Sequence, residues 1–160
     1  MEVVIRRADR SDVDEVVRQR LEFLRTVRDD TLRTDADFVA ATRQFVEDEA
    51  TAGRMHSWLA ELDGTCVGLV SLLLWSRPPR PHDRGTCDGY IINMYVAPEH
   101  QGNGIGRRLL DVCLEAGDEF GIGRFFLHAT DHGRPLYVSA GFGVNPNWLE
   151  LRAGDERPAP

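Results

Sequence analysis

The chain has 160 residues, a length that favours one domain and can bury a hydrophobic core without disulfide staples. Its composition, 42% hydrophobic and 28% charged, excludes a low-complexity or fibrous chain. The net charge of −7, with every one of the basic residues an arginine and no lysine at all, excludes a general nucleic-acid binder, which needs a basic footprint, and is compatible with a cationic acceptor such as an amine.

The three cysteines, Cys66, Cys87 and Cys113, lack metal-ligand spacing such as C-x-x-C, and their odd number argues against a disulfide framework, so free thiols and no metal site are expected. The N-terminus lacks the uninterrupted apolar core of a signal peptide. The longest apolar run, Val67 to Trp75, is too short to span a bilayer, so a cytoplasmic protein without a membrane partner is expected.

Val3 to Arg7 reads as a first strand. Ser11 is the expected helix N-cap, with Asp12, Asp14 and Glu15 in the first turn and Val13, Val16, Val17, Leu21 and Leu24 at helical spacing. A second helix is expected from Asp35 or Asp37, with Phe38, Val39, Thr42, Phe45 and Val46 on its apolar face and Gly53 ending it. Trp58 to Leu62 and Cys66 to Trp75 read as the arms of a hairpin around Asp63-Gly64. A loop rich in Pro and Arg runs from Arg77 to Gly85, either a semi-rigid lid or plain surface. Tyr90 to Val96 is a buried-strand pattern stopped by Pro98. A glycine run then opens a helix reaching about Phe120. A strand over Phe125 to His128, a short helix over Arg134 to Ser139 and a final strand over Trp148 to Leu151 complete the order. One domain over 1–152 is expected, with a polar, frayed tail over 153–160. The layout is α/β, with a hairpin-built half and a crossover half.

The run Gln101-Gly102-Asn103-Gly104-Ile105-Gly106 carries the chemistry. A strand feeding a glycine-rich turn that opens a helix is an anion site: the first helical N–H groups are unpaired, and the helix dipole adds positive charge. Glycines let the backbone approach a phosphate closely. The Gln101 amide and Arg107 are further donors. The P-loop pattern fails, because Gly106 precedes Arg107 and Arg108 rather than Lys and Ser or Thr. The dinucleotide fingerprint needs a different glycine spacing and an earlier place in the chain. The remaining alternative is a loop that merely permits tight strand-to-helix packing.

The segment Asn93 to Leu110 resembles the central motif of the GNAT acetyltransferase superfamily, in which a strand ending in V-x-P is followed by [QR]-x-x-G-x-[GA] and a helix; Gln101, Gly104 and Gly106 fill the fixed places. Gly133 to Phe142 resembles that superfamily's second signature, a helix with L-Y followed by G-F. The resemblance implies a GNAT-like mixed sheet, centrally splayed and flanked by helices, and acetyl-coenzyme A as co-substrate. It places the Met94 amide at the thioester carbonyl and the backbone of Tyr95 and Val96 along the pantetheine arm. Gln101 and the amides of Gly102, Asn103, Gly104, Ile105, Gly106 and Arg107 would hold the pyrophosphate. Thr130 stands where an Asn often touches the pantetheine. Tyr137 matches the family's general acid, which protonates the departing thiolate, and the Met94 amide would be the oxyanion donor. The Glu that many members use as base is replaced here by Tyr90. Asp88 or Glu22, through water, are alternatives, as is the absence of a dedicated base.

The acceptor pocket of that fold draws on Glu22, Phe23, Trp75 and Tyr90, a set suited to a small cationic amine through charge and cation–π contact. The resulting expectation is an N-acetyltransferase acting on a primary amine of a small molecule, with a homodimer as a further expectation. The rivals are a protein acetyltransferase acting on a lysine or an N-terminus, and a non-catalytic acyl-coenzyme A binding module. A closed pocket under the Arg77–Gly85 loop would favour the small acceptor.

Overall fold

A computed structural model describes residues 2–27 and 35–151. The expected tail over 153–160 lies outside them. Five strands, β1 (Val3–Arg7), β2 (Met55–Leu62), β3 (Thr65–Ser76), β4 (Cys87–Val96) and β5 (Ile122–Phe126), pair in chain order into one sheet. The first four are antiparallel, and β4 and β5 are parallel. The helices are α1 (Val13–Val27), α2 (Ala36–Thr51), α3 (Ile105–Phe120) and α4 (Arg134–Ser139). This is the mixed α/β sheet, flanked by helices, that the sequence led us to expect. None of the helices among the described residues is long and apolar enough to cross a membrane.

Strand alternation sorts the side chains into two cores. Trp58, Ala60, Val70, Leu72 and Ile91 face α3 and meet Leu109, Leu110 and Cys113. Leu59 and Leu69 face the other way, against Val16, Val17 and Val46 of α1 and α2. Leu109 is fully buried, and truncating such a residue to Ala costs about 2–5 kcal/mol. The hairpin forms at Asp63-Gly64, where both residues have positive φ (50° and 79°), the geometry a two-residue primed turn requires.

Several boundaries differ from the sequence reading. Asp9, not Ser11, caps the first helical segment: its carboxylate accepts from the Ser11 N–H, and Asp12 closes a capping box. The ends of α2 agree with the sequence reading: Asp35 is the cap, accepting from the Phe38 N–H, and Gly53 follows in the left-handed region. Both β2 and β4 begin three residues earlier than expected, because Met55 pairs with Leu73 and Cys87 with Ser76. The strand expected over Phe125 to His128 ends at Phe126, leaving His128 in a loop. No strand forms over Trp148 to Leu151, which pairs with nothing in the sheet and leaves Leu149 exposed. Cys66, Cys87 and Cys113 are all free.

Candidate active site

Strand β4 has two unlike halves. Its first half is paired on both sides: with β3 throughout, and with β5 at Cys87, Gly89 and Tyr90. Beyond Tyr90 the pairing with β5 stops, so the half from Ile91 to Val96 presents an open edge. This is the central splay. A bulge deepens it. Asn93 sits at φ 56°, and Asn93 and Met94 have no partner in the register with β3, which jumps from Ile92 to Tyr95. The strained Asn93 is held by its side chain, which accepts from Arg20 Nη1 at 2.5 Å and donates to Ser71 Oγ at 3.3 Å. Backbone strain of this kind persists only where the surroundings over-determine it. Its effect here is to take Met94 out of register with β3.

The chain then turns through Pro98 to Gly104 into α3. Gly102 and Gly104 both have φ 77°, and Gly104 is the helix N-cap without a side-chain bond. The first intrahelical bond runs from Arg108 N–H to the Gly104 carbonyl at 3.1 Å. The amides of Ile105, Gly106 and Arg107 are therefore unpaired among the described residues, and the helix dipole points at the same place. Open strand edge and helix N-terminus line one cavity of about 940 Å³.

Most of the sequence-derived site residues lie on that cavity. Met94, Tyr95, Val96, Gln101, Gly102, Gly104, Ile105, Gly106, Arg107, Thr130, Tyr137, Phe23 and Tyr90 line it. Several have roles other than the simplest one. Gln101 Nε2 donates to the Val96 carbonyl at 2.9 Å, tying the loop to the strand end. Thr130 Oγ1 accepts from the Gly133 N–H at 3.1 Å and so shapes the entry to α4. Asn103 lies off the lining, its Nδ2 bracing the carbonyls of His100 and Gln101.

Two acceptor candidates are not brought to the cavity. Glu22 bonds Arg25 one turn away at 2.5 Å, and the half-exposed Trp75 packs edge-on against Phe126. Asp88 is placed elsewhere too. It is 2% exposed and receives Arg77 Nε at 2.7 Å, Arg80 Nη2 at 2.9 Å and Arg124 Nη2 at 2.7 Å. Burial alone would raise its carboxyl pKa; the three guanidiniums outweigh that and hold it below the ordinary carboxylate value. A carboxylate so saturated has no role as a base. The Arg77–Gly85 loop is fastened to the same cluster, through Arg77 to Asp83 and to the Gly85 carbonyl, and takes no part in the cavity. It is a brace at the paired end of β4, not a lid.

Tyr137 is buried against the cavity, edge-on to Phe142 at 5.9 Å, and burial pushes its hydroxyl up to about 12. It is therefore a proton donor at any ordinary pH. Sequence reasoning missed Arg20, Phe45, His128 and Glu150, which also line the cavity. Only the β4–β5 register could have revealed His128: pairing Tyr90 with Phe126 brings the loop that follows beside Tyr90.

The chain belongs to the acetyltransferase (GNAT) family, whose model matches residues 21–142. An uncharacterized N-acetyltransferase of Archaeoglobus fulgidus is 28% identical over 116 residues, 69% of this chain and 71% of the relative. A predicted acetyltransferase of Clostridium acetobutylicum, solved with acetyl-CoA, is 26% identical with a TM-score of 0.85, over 94% of this chain and 96% of that one. A GCN5-related N-acetyltransferase of Ralstonia eutropha JMP134 is 28% identical with a TM-score of 0.78, over 96% and 100%. The protein is an N-acetyltransferase, an acyltransferase that binds acetyl-CoA. Its residues fit that molecule: an open strand edge for an amide-bearing arm, unpaired amides for a pyrophosphate, and, apart from adjacent residues in the chain, no atom of the described residues within 4 Å of where a Cβ would stand at Gly102 or Gly104.

Proposed function

We propose that the protein transfers the acetyl group to a primary amine of a small molecule. The observation carrying this reading is the wall of the cavity away from the glycine turn. There Phe23 and Leu24 of α1, Phe45 and Val46 of α2, and Tyr90 and Leu73 of the sheet line the cavity, apolar and aromatic groups of the kind that line small-ligand sites, although the Arg77–Gly85 loop does not close over them.

Acetyl-CoA supplies an activated thioester. The chain's own groups do the rest. Amides from Gly102 to Arg107 hold the pyrophosphate, aided by the helix dipole. The backbone of Tyr95 and Val96 along the open edge of β4 orients the pantetheine arm, and Thr130 flanks it. The Met94 N–H, at the bulge where the register with β3 breaks, donates to the carbonyl oxygen as negative charge develops there. Tyr137 gives its hydroxyl proton to the departing sulfur. Phe23 and Tyr90 remain as acceptor contacts, whereas Glu22 and Trp75 do not.

A panel of small amines and peptides, read by thiol release, tests the proposal. Turnover of small amines well above that of peptides is expected. Preference for peptides would replace the small acceptor with a protein one, and thiol release from neither would remove the amine.

A further inference from the structure

Asp88 is saturated by arginines and Glu22 lies off the cavity, so neither carboxylate weighed from the sequence is placed to act as the base. The attacking amine still has to lose a proton. Tyr90 Oη lies 2.9 Å from His128 Nδ1, and His128 Nε2 lies 3.9 Å from Glu150 Oε2. All three residues line the cavity that contains Met94 and Tyr137. The Tyr90 ring is fixed by stacking on Phe126, centroids 4.9 Å apart and planes 4° from parallel, and Phe126 is itself packed by Trp75 and Trp148.

We propose that Tyr90, His128 and Glu150 form the proton relay that deprotonates the acceptor amine. Tyr90 Oη accepts a proton from the ammonium while its own proton passes to His128 Nδ1. The nitrogen lone pair is released for attack, Tyr90 is regenerated, and the charge ends on an imidazolium facing the Glu150 carboxylate. One proton leaves the substrate and one arrives on His128. Tyr90 serves as a conduit rather than as a phenolate, in keeping with burial, which raises its hydroxyl pKa. Among the described residues, the charged groups acting on this relay are Arg20 of α1, which acts on Tyr90, and Glu150 of the C-terminal segment; His132 lines the same cavity. The relay rests on the reading of the protein as an amine acetyltransferase.

Two measurements test it. In long-range ¹H–¹⁵N correlation spectra of the free protein, neutral His128 should be the Nε2–H tautomer, with Nδ1 accepting from Tyr90, and Tyr90→Phe should abolish that preference. In single turnover near pH 7, His128→Gln should slow acetylation by about 10²-fold, the scale of one general base. Acetyl-CoA affinity should not change, and the deficit should shrink as pH rises and the amine deprotonates unaided. An Nδ1–H tautomer in the wild type, or a His128→Gln enzyme at the wild-type rate, would overturn the relay. Failure of the amine reading would be distinct: the wild type itself would release no thiol with any amine.

Discussion

The two halves of β4 share one strand and have opposite designs. From Cys87 to Tyr90 the strand is paired on both edges, and Asp88 gathers three arginines around it. From Ile91 to Val96 one edge is bare, and a bulge lifts Met94 out of the other ladder. The first half is held by strands on both sides and by the arginines on Asp88; the second leaves one edge open to a ligand. A site that must accept another molecule's hydrogen bonds is stabilised from next door, and the arginine cluster anchors the strand just before it opens.

The largest expected effect comes from breaking the anchored half. Asp88→Asn leaves three guanidiniums around a neutral amide. Breaking a buried pair costs about 3–5 kcal/mol, and the low end applies because Arg80 and Arg124 are 40% and 42% exposed. The melting temperature should fall by roughly 6–12 °C, on the usual scale for a domain of this size. The folded Asp88 pKa lies below the ordinary 3.8. The unfolded chain therefore takes up the proton first on acidification, and the Asp88 contribution is complete above that value and lost below it. Melting curves from pH 7 down to 3 should show a flatter acid dependence in the variant, with acetyl-CoA affinity intact while it stays folded. A melting temperature unchanged from the wild type would dissolve the contrast.

On the open half, Tyr137→Phe should reduce the single-turnover rate by roughly 10²-fold with little change in acetyl-CoA affinity. Wild-type rates in that format would make Tyr137 a packing residue. Because burial holds the hydroxyl up to about 12, the rate should show no alkaline decline attributable to Tyr137 below about pH 10.

Gly104→Val acts through the backbone. Position 104 has φ 77°, where a β-branched residue is strained, so the turn that presents the unpaired amides of α3 would have to shift. Calorimetry should show a loss of affinity for acetyl-CoA of about tenfold or more, roughly 1.4 kcal/mol per decade. A folded variant with unchanged affinity would remove the pyrophosphate from this turn. The smallest effect is expected at Glu22→Gln, whose ion pair among the described residues is the exposed one with Arg25 and which otherwise acts at a distance on Arg18 and Tyr95: less than about 0.5 kcal/mol in stability and little change in kcat/KM.

The sequence disclosed the open half better than the anchored one. Gly102, Gly104 and Gly106 and the strand before them form a contiguous local pattern whose physics is local, that of a helix N-terminus. The anchoring of Asp88 was not legible, because its arginines come from positions 77, 80 and 124 and meet only through the fold. His128 was hidden for the same reason. The early start of β2 was missed because His56 and Ser57 look like loop residues until a partner strand claims them. In the other direction, Trp148 to Leu151 read as a final strand, but a four-residue segment forms one only where a neighbour offers an edge.

The most direct test of the contrast is an amide ¹H–¹⁵N titration of the assigned protein with acetyl-CoA. The amides of Met94, Val96 and Gly102 to Arg107 should shift strongly and saturably, while Asp88 and the Arg77–Gly85 brace stay still. Saturable shifts centred on Arg77 to Asp88, with Met94 and the glycine turn unmoved, would contradict the account.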